Sequence, residues 1–396
     1  MCKVSVVIPN YNGLRFMSMC MPALARQTFR DFELLIVDNG STDGSPAYIE
    51  ALEKTGLVCE PNSEAAGPAS ADRCSGDIGN KDNRSGCGVS DTVNCSDCGN
   101  AGNTVSCTPG SIPVRSILLS ENTGFSGAVN VGIQAAAGAY VLLLNNDTEA
   151  APDFIERLVA AMENGTANPA RLFAVSPKMV QLYHKALLDD AGDGYNLLGW
   201  AFQRGVGQAV GTAKFNRRQP VFSACAGASL YRKALLETIR LSEGIYFDPL
   251  HFAYLEDLDV SYRARIHGYE VLYEPSAVIY HVGSGTSGSR YNSFKVRLAA
   301  RNNLYLNYKN MPLLQLLLNL PGILLGCLIK QLFFLKKGFG RDYAAGFLEG
   351  LSTLKRCKKV RFRWAFLPSY IAIELRLIAD SFSYLDDFLR RRLRRR

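Results

Sequence analysis

Four short apolar runs, each ended by a polar cluster and separated by helix-like stretches, constrain this chain more than any other feature. The runs are VSVVI (4–8), FELLIVDNG (32–40), SILLSENTG (116–124) and AYVLLLNND (139–147). The first two runs read as strands buried on both faces, as in a parallel sheet, and the other two as a third and a fourth strand. Helix-like stretches follow at 14–27, 45–56, 126–138 and 151–162, with Ser45 as the expected N-cap ahead of Pro46. Alternating strands and helices predict an α/β doubly wound sheet. Such a sheet binds ligands at the carboxyl ends of its strands. The polar clusters at 10–12, 38–43, 121–122 and 145–147 fall at those ends.

Residues 60–113 interrupt the pattern. They contain no Leu and no aromatic residue, and are rich in Gly, Ser, Asn and Asp, with cysteines at 74, 87, 95, 98 and 107. Such a segment cannot bury enough apolar surface to form a core of its own, so it reads as a disordered surface insertion. A small zinc or disulfide knot is the sharper reading, but only Cys95 and Cys98 have metal-ligand spacing, and the segment has no His. The N-terminal MCKVSVVIPNYN has no apolar run of signal-peptide length. The body is therefore expected to stay in the cytoplasm, which argues against a secreted disulfide protein despite eleven cysteines.

Charge divides the chain. Residues 289–396 carry 22 Lys+Arg against 6 Asp+Glu, and residues 1–288 carry 22 against 30. An acidic body joined to a basic C-terminal region argues against a nucleic-acid binder and suits an anionic surface. Within that region, residues 313–335 are apolar enough in length to cross a bilayer, but Gln315, Asn319, Pro321, Gly322 and Lys330 interrupt them. Residues 371–389 place Ile371, Leu375, Ile378, Phe382, Leu385 and Leu389 on one helical face. A single span would put the terminal arginines outside, against the positive-inside tendency. A pair of surface-lying or re-entrant helices on the inner face of the cell membrane is the expectation. An extra helical subdomain, packed on the body or in a dimer, is the other reading.

Four places can carry chemistry. Asp38, at a strand end, can accept a hydrogen bond from the N3–H of a pyrimidine ring, or can cap the next turn. Asp147, close after a buried strand, can offer an oxygen to Mg²⁺ or Mn²⁺ shared with a diphosphate. Glu256 and Asp257 are adjacent acids in an apolar frame, costly to bury without a task; one can deprotonate a hydroxyl while the other orients it. His281 follows an apolar strand and is structural unless it folds back towards Asp147.

Together and in order, these pieces resemble the family-two inverting glycosyltransferases of the GT-A fold. The matching strings are VVIPNYNG, QTFRDFELLIVDNGSTDGS, ENTGFSGAVNVGI, LLLNNDTEAAPDFIERL, AGASLYRKALLE, FDPLHFAYLEDLDVSYRARIHGY and YHVGSGTS. The look is nearest to bacterial rhamnosyltransferase-like members. The resemblance implies a GT-A domain over 1–290, with a mixed, mostly parallel sheet and helices on both faces, followed by a basic helical region over 291–396. It implies that Pro9, Tyr11 and Asn12 line the nucleotide base and that Asp38 bonds its ring. Asn122, Gly124 and Asn130 would border the donor pocket. Asn145, Asn146 and Asp147 stand where the family has its Asp-x-Asp metal motif, so Asp147 would carry the metal contact alone of the three. His281 would help hold the metal or diphosphate. Asp257 matches the catalytic base, with Glu256 beside it.

The partners implied are a nucleotide-diphosphate sugar (a UDP- or dTDP-sugar, dTDP-rhamnose among them) and a glycan or lipid-linked acceptor. Processive members carry Gln-x-x-Arg-Trp; the Arg363–Trp364 pair here lacks that Gln, which reads as a non-processive enzyme. A nucleotidyltransferase or a non-catalytic sugar-nucleotide-binding protein are the alternatives. The first would want a Gly- and Lys/Arg-rich phosphate loop where this chain has Asn-Tyr-Asn-Gly after Pro9.

Overall fold

The computed structural model describes residues 2–58, 111–283 and 291–393. Expectations about the insertion and its cysteines fall almost wholly outside those residues. The strands are β1 (Val4–Asn10), β2 (Phe32–Asn39), β3 (Val114–Leu119), β4 (Tyr140–Leu144), β5 (Thr148–Ala150), β6 (Leu172–Gln181), β7 (Leu188–Asp190), β8 (Asp193–Tyr195), β9 (Ala201–Gln203), β10 (Gln219–Pro220), β11 (Ala228–Arg232) and β12 (Glu270–His281). The helices are α1 (Leu14–Ala25), α2 (Ser45–Thr55), α3 (Gly124–Ala135), α4 (Phe154–Asn164), α5 (Lys233–Ile239), α6 (Glu256–Ile266), α7 (Ser293–Asn310), α8 (Leu313–Lys336), α9 (Gly340–Thr353) and α10 (Leu367–Leu393).

The main sheet runs in the order β10-β12-β6-β11-β4-β1-β2-β3. Pairs β1–β2, β1–β4, β2–β3 and β6–β12 are parallel, whereas β11 lies antiparallel between β4 and β6. This is the doubly wound, mixed and mostly parallel sheet expected. Side chains alternate between the faces of a strand, and the two cores follow that period. Val4, Val6, Ile8, Leu34, Ile36, Leu142 and Leu144 pack with α1 and α4. Val7, Leu35, Val37, Val141 and Leu143 pack with α3, α5 and α6. Each such fully buried Val, Leu or Ile contributes about 1.5–3 kcal/mol.

One local expectation changes. Gly44, not Ser45, is the N-cap of α2, and Ser45 is its first helical residue. The Asp43 carboxylate accepts from the Ser45 N–H at 2.9 Å, so the acid two residues upstream satisfies the helix end.

The C-terminal helices are built into the body. Lys309 of α7, fully buried, bonds Asp248 at 2.7 Å and Asp259 at 2.8 Å. Asp259 also takes Arg263 and the Asn310 amide. Burial opposes its charge, but Lys309 and Arg263 outweigh that and hold it well below the usual carboxylate range. The five described cysteines, Cys2, Cys20, Cys225, Cys327 and Cys357, are all unpaired.

Candidate active site

A cleft of about 660 Å³ opens along the carboxyl ends of β1 and β4. Pro9, Tyr11, Asn122, Gly124, Asn145, Asn146, Asp147, Glu256, Asp257 and His281 all line it. Ten site residues drawn from five separated segments thus share one cavity.

Strand pairing brings Asp147 to His281. β4 stops at Leu144, the Asn145 N–H donates to the Gly227 carbonyl at 2.8 Å, and the chain turns into β5. β5 pairs antiparallel with the end of β12, with Thr148 opposite His281. The residue before Thr148 is Asp147, and its Oδ1 lies 3.4 Å from His281 Nε2. Apart from that imidazole, the buried oxygen has no hydrogen-bond partner. On its other side His281 Nδ1 meets Asp189 Oδ2 at 2.7 Å. Burial opposes charging the ring, but the hydrogen bonds and charges of Asp147 and Asp189 outweigh it and push His281 up to about 10. The same two acids would favour a divalent cation in place of that proton. A buried carboxylate oxygen whose one polar neighbour is an imidazole nitrogen forms, with that nitrogen, a donor set that fits Mg²⁺ or Mn²⁺.

Asn146 donates to Asn10 Oδ1 at 2.6 Å, and Asn10 donates to Asp38 Oδ1 at 2.8 Å. Gly13 makes this possible, since a Cβ there would sit 2.0 Å from Asn146 Nδ2 and 2.5 Å from Asn10 Oδ1. Asp38 Oδ2 accepts from the Ser41 N–H at 2.9 Å. Asp38 is therefore buried with both oxygens engaged, and it does not line the cleft. Nor does Asn12, whose side chain accepts from the Thr42 and Asp43 N–H groups and ties the β1 and β2 loops together. Asn130 is buried inside α3, where it holds the Tyr246 and Phe247 backbone with three hydrogen bonds. Its place is structural, away from the cleft lining. Asn122 accepts from Asn39 and from the Gly124 N–H. Gly124 has φ +77°, and a Cβ there would meet the Phe252 carbonyl at 2.5 Å.

Glu256 and Asp257 open α6, after a turn in which Phe252, Tyr254 and Leu255 all have left-handed backbones. Asp257 Oδ1 accepts from the Leu258 N–H at 2.8 Å and Oδ2 from the Ala226 N–H at 3.3 Å. Burial raises its pKa above the ordinary carboxylate value, though those N–H groups oppose the shift. Glu256 is raised further, first by burial and then by the charge of Asp257. Burial thus lifts both acids of the pair, Glu256 the more, and both are better bases than an ordinary carboxylate.

Sequence reasoning missed Asp189, Asp193 and Cys225. The last two lie with Asp257 in a group whose side-chain donor atoms are within 4.8 Å of one another. Burial pushes the Cys225 thiol up, so it stays protonated and offers little to a hard cation. Asp189, Asp190 and Asp193 stand in a short acidic run beside a Gly-rich stretch, LLDDAGDGYNLLG. Adjacent acids are as costly to bury there as at Glu256 and Asp257, and that cost is the signal that could have found them.

The sequence profile of "Glycosyl transferase family 2" matches residues 5–71 and 106–240, just over half of the chain. The chain belongs to that family. Among relatives, an uncharacterised glycosyltransferase of Nostoc sp. is 44% identical over 52 residues, covering 13% of this chain and 16% of its own. EpsH of Bacillus subtilis, itself a proposed glycosyltransferase, is 22% identical over 279 residues, covering 70% of this chain and 60% of its own. The chain thus spans less than two thirds of either relative. A solved structure of the mannosyltransferase PcManGT from Pyrobaculum calidifontis, in complex with GDP-Man and Mn²⁺, is 13% identical with a TM-score of 0.48, over 88% of this chain and 87% of that one.

Proposed function

We propose that this protein is a non-processive, inverting glycosyltransferase. It moves a sugar from a UDP- or dTDP-sugar (dTDP-rhamnose is one such donor) to a glycan or lipid-linked acceptor, in the making of a cell-envelope polysaccharide. The observation that carries the reading is that Asp257 and the Asp147–His281 pair line one cleft at the carboxyl ends of the sheet. A base for the acceptor and a place for the donor's diphosphate thus share a single cavity.

The acceptor hydroxyl lies against Asp257, which takes its proton as the oxygen attacks the anomeric carbon. The bond to the diphosphate breaks on the opposite face, so the configuration inverts and no covalent enzyme intermediate forms. Glu256, whose pKa burial and the charge of Asp257 raise, stands beside the base to orient the acceptor hydroxyl. Asp147 and His281 would hold Mg²⁺ or Mn²⁺, which offsets the charge growing on the leaving diphosphate. Tyr11, partly exposed on the cleft beside Pro9, gives the nucleotide base an aromatic wall. The acidic body and basic C-terminal region support work at the inner face of the cell membrane.

Incubation with a panel of nucleotide sugars and acceptors, with and without a chelator, tests the proposal. The expected result is acceptor-dependent, metal-dependent release of nucleotide diphosphate and a product of inverted anomeric configuration by NMR. Release of pyrophosphate instead, or a retained configuration, would overturn it.

A further inference from the structure

Helix α8 turns its polar side chains inward and most of its leucines outward. Gln315 and Asn319 are buried together with Ile323, Gly326 and Phe334, while Leu314, Leu317, Leu318, Leu324, Leu328 and Leu335 stand in solvent, Leu314 at 81% exposure. Helix α10 repeats the inversion. Asp380 and Asp387 point inward beside Ile373 and Leu377, and the stripe Ile371, Leu375, Ile378, Phe382, Leu385 and Leu389 faces outward. A water-soluble helix does the reverse. Contiguous apolar surface of this kind marks an interaction face. The two helices are joined by a polar seam, where the Gln315 and Asn319 amides both donate to Glu374 Oε2 at 2.9 Å.

We infer that the outward faces of α8 and α10 together form a surface that lies in one leaflet of an anionic membrane, parallel to its plane. The inference deepens the membrane reading given above and rests on it. Three observations carry it. First, α8 is packed lengthwise on the body: a Cβ at Gly322 would sit 2.6 Å from the Leu197 carbonyl and one at Gly326 2.1 Å from that of Leu198. Farther along, Phe334 stacks on Tyr343. A helix fastened in this way cannot run along the bilayer normal without dragging polar body surface into the acyl layer. Second, exposed cations adjoin the two helices in the chain: Lys336 and Lys337 at the end of α8, and Lys358, Lys359, Arg361 and Arg363 before α10. These match anionic headgroups. In a two-fold contact between copies, the same patch would face its own like charges. Third, Phe362 and Trp364 are exposed among those cations, Trp364 at 78%, and amphipathic aromatic rings favour the headgroup boundary.

The full chain is tested by flotation with vesicles of phosphatidylcholine, with and without phosphatidylglycerol. A Trp200→Phe background leaves Trp364 as the fluorescent reporter. The expected results are flotation that depends on phosphatidylglycerol and weakens with salt, and a blue shift of Trp364. Lipids brominated high on the acyl chain should quench it, and those brominated near the chain end should not. The combined Leu317→Ser, Leu324→Ser and Leu328→Ser variant should bind at least about tenfold more weakly while unfolding at no lower temperature. The inference falls if the wild type does not float. It also falls if the triple variant floats unchanged but converts a dimer to a monomer, or if the protein resists carbonate with both ends of α8 reachable from opposite sides. Nucleotide-diphosphate release on a soluble acceptor, measured on the same preparations, separates the two readings. Vesicle binding without any release overturns the proposed sugar transfer and leaves this inference standing, and release without vesicle binding overturns this inference and the membrane location but not the sugar transfer.

Discussion

Asn302 has no place in the cleft, yet replacing it by alanine should disable the base. Its side-chain amide donates to the carbonyls of His251, Ala253 and Tyr254 at 2.9, 2.8 and 2.8 Å. Arg301 adds bonds to the carbonyls of Leu250 and His251. These hold a turn in which Phe252, Tyr254 and Leu255 have φ of 62°, 71° and 68°. A left-handed backbone costs a residue with a side chain about 1–2 kcal/mol, so the turn stores roughly 3–6 kcal/mol. Three hydrogen bonds at about 0.5–1.5 kcal/mol each offset much of that. In Asn302→Ala the turn, rather than the fold, should therefore relax, shifting Glu256 and Asp257 at the start of α6. A displacement of about 1 Å at a reacting group costs on the order of 10²-fold in rate. Donor affinity should change by less than about threefold, because Asp147 and His281 sit on β-strand ends untouched by the change. Turnover is read from acceptor-dependent nucleotide-diphosphate release and donor binding from calorimetry. Turnover within twofold of wild type in a folded variant would refute the reasoning, as would donor affinity lost in step with turnover.

Asp257→Asn should cut turnover by about 10²–10⁴-fold with donor affinity nearly unchanged, as for the loss of a general base. Since burial raises Asp257, the acid limb of the wild-type pH–rate profile should lie above the ordinary carboxylate value, and activity should rise as pH increases through it. Asp147→Ala should weaken Mn²⁺ and donor binding together. Asp189→Asn, removing the partner of His281 Nδ1, should weaken Mn²⁺ binding by about 10–100-fold in a direct spin-resonance titration, with Asp147 intact. Lys309→Met leaves buried Asp248 without its cation and Asp259 with Arg263 alone, and should destabilise the fold by about 3–5 kcal/mol in a denaturant titration. Asp259 is depressed in the folded protein, so its stabilisation is present above the unfolded value and is lost as pH falls towards the folded one. The gap between wild type and Lys309→Met should accordingly narrow below about pH 4.

The sheet is legible from local chemistry alone. Val4, Val6 and Ile8 against Val7, or Leu34 and Ile36 against Leu35 and Val37, are apolar at both strand periods, and only a strand covered on both faces uses such a run. Because β-strands end in polar clusters on one edge, Asn145 and Asp147 could be sought there, whereas Glu256 and Asp257 were found as adjacent acids in an apolar frame. The stripe on α10 was legible too, but not the direction it faces. Periodicity states that one side of a helix differs from the other; which side meets the protein depends on where partners for Asp380, Asp387, Gln315 and Asn319 happen to be. Asp38 and Asn130 show the same limit, since a polar side chain at the right place in sequence serves the cleft or the backbone according to which donors fold against it. Asp189 reaches His281 across 92 residues, and Asn302 grips a turn about fifty residues away. Sequence by itself determined the strands, their polar ends and the acids able to do chemistry, because those follow from neighbours along the chain. The partners that charge, aim and strain those acids were decided only when β5 paired with β12 and α7 closed on the turn before α6, contacts that no local spacing encodes.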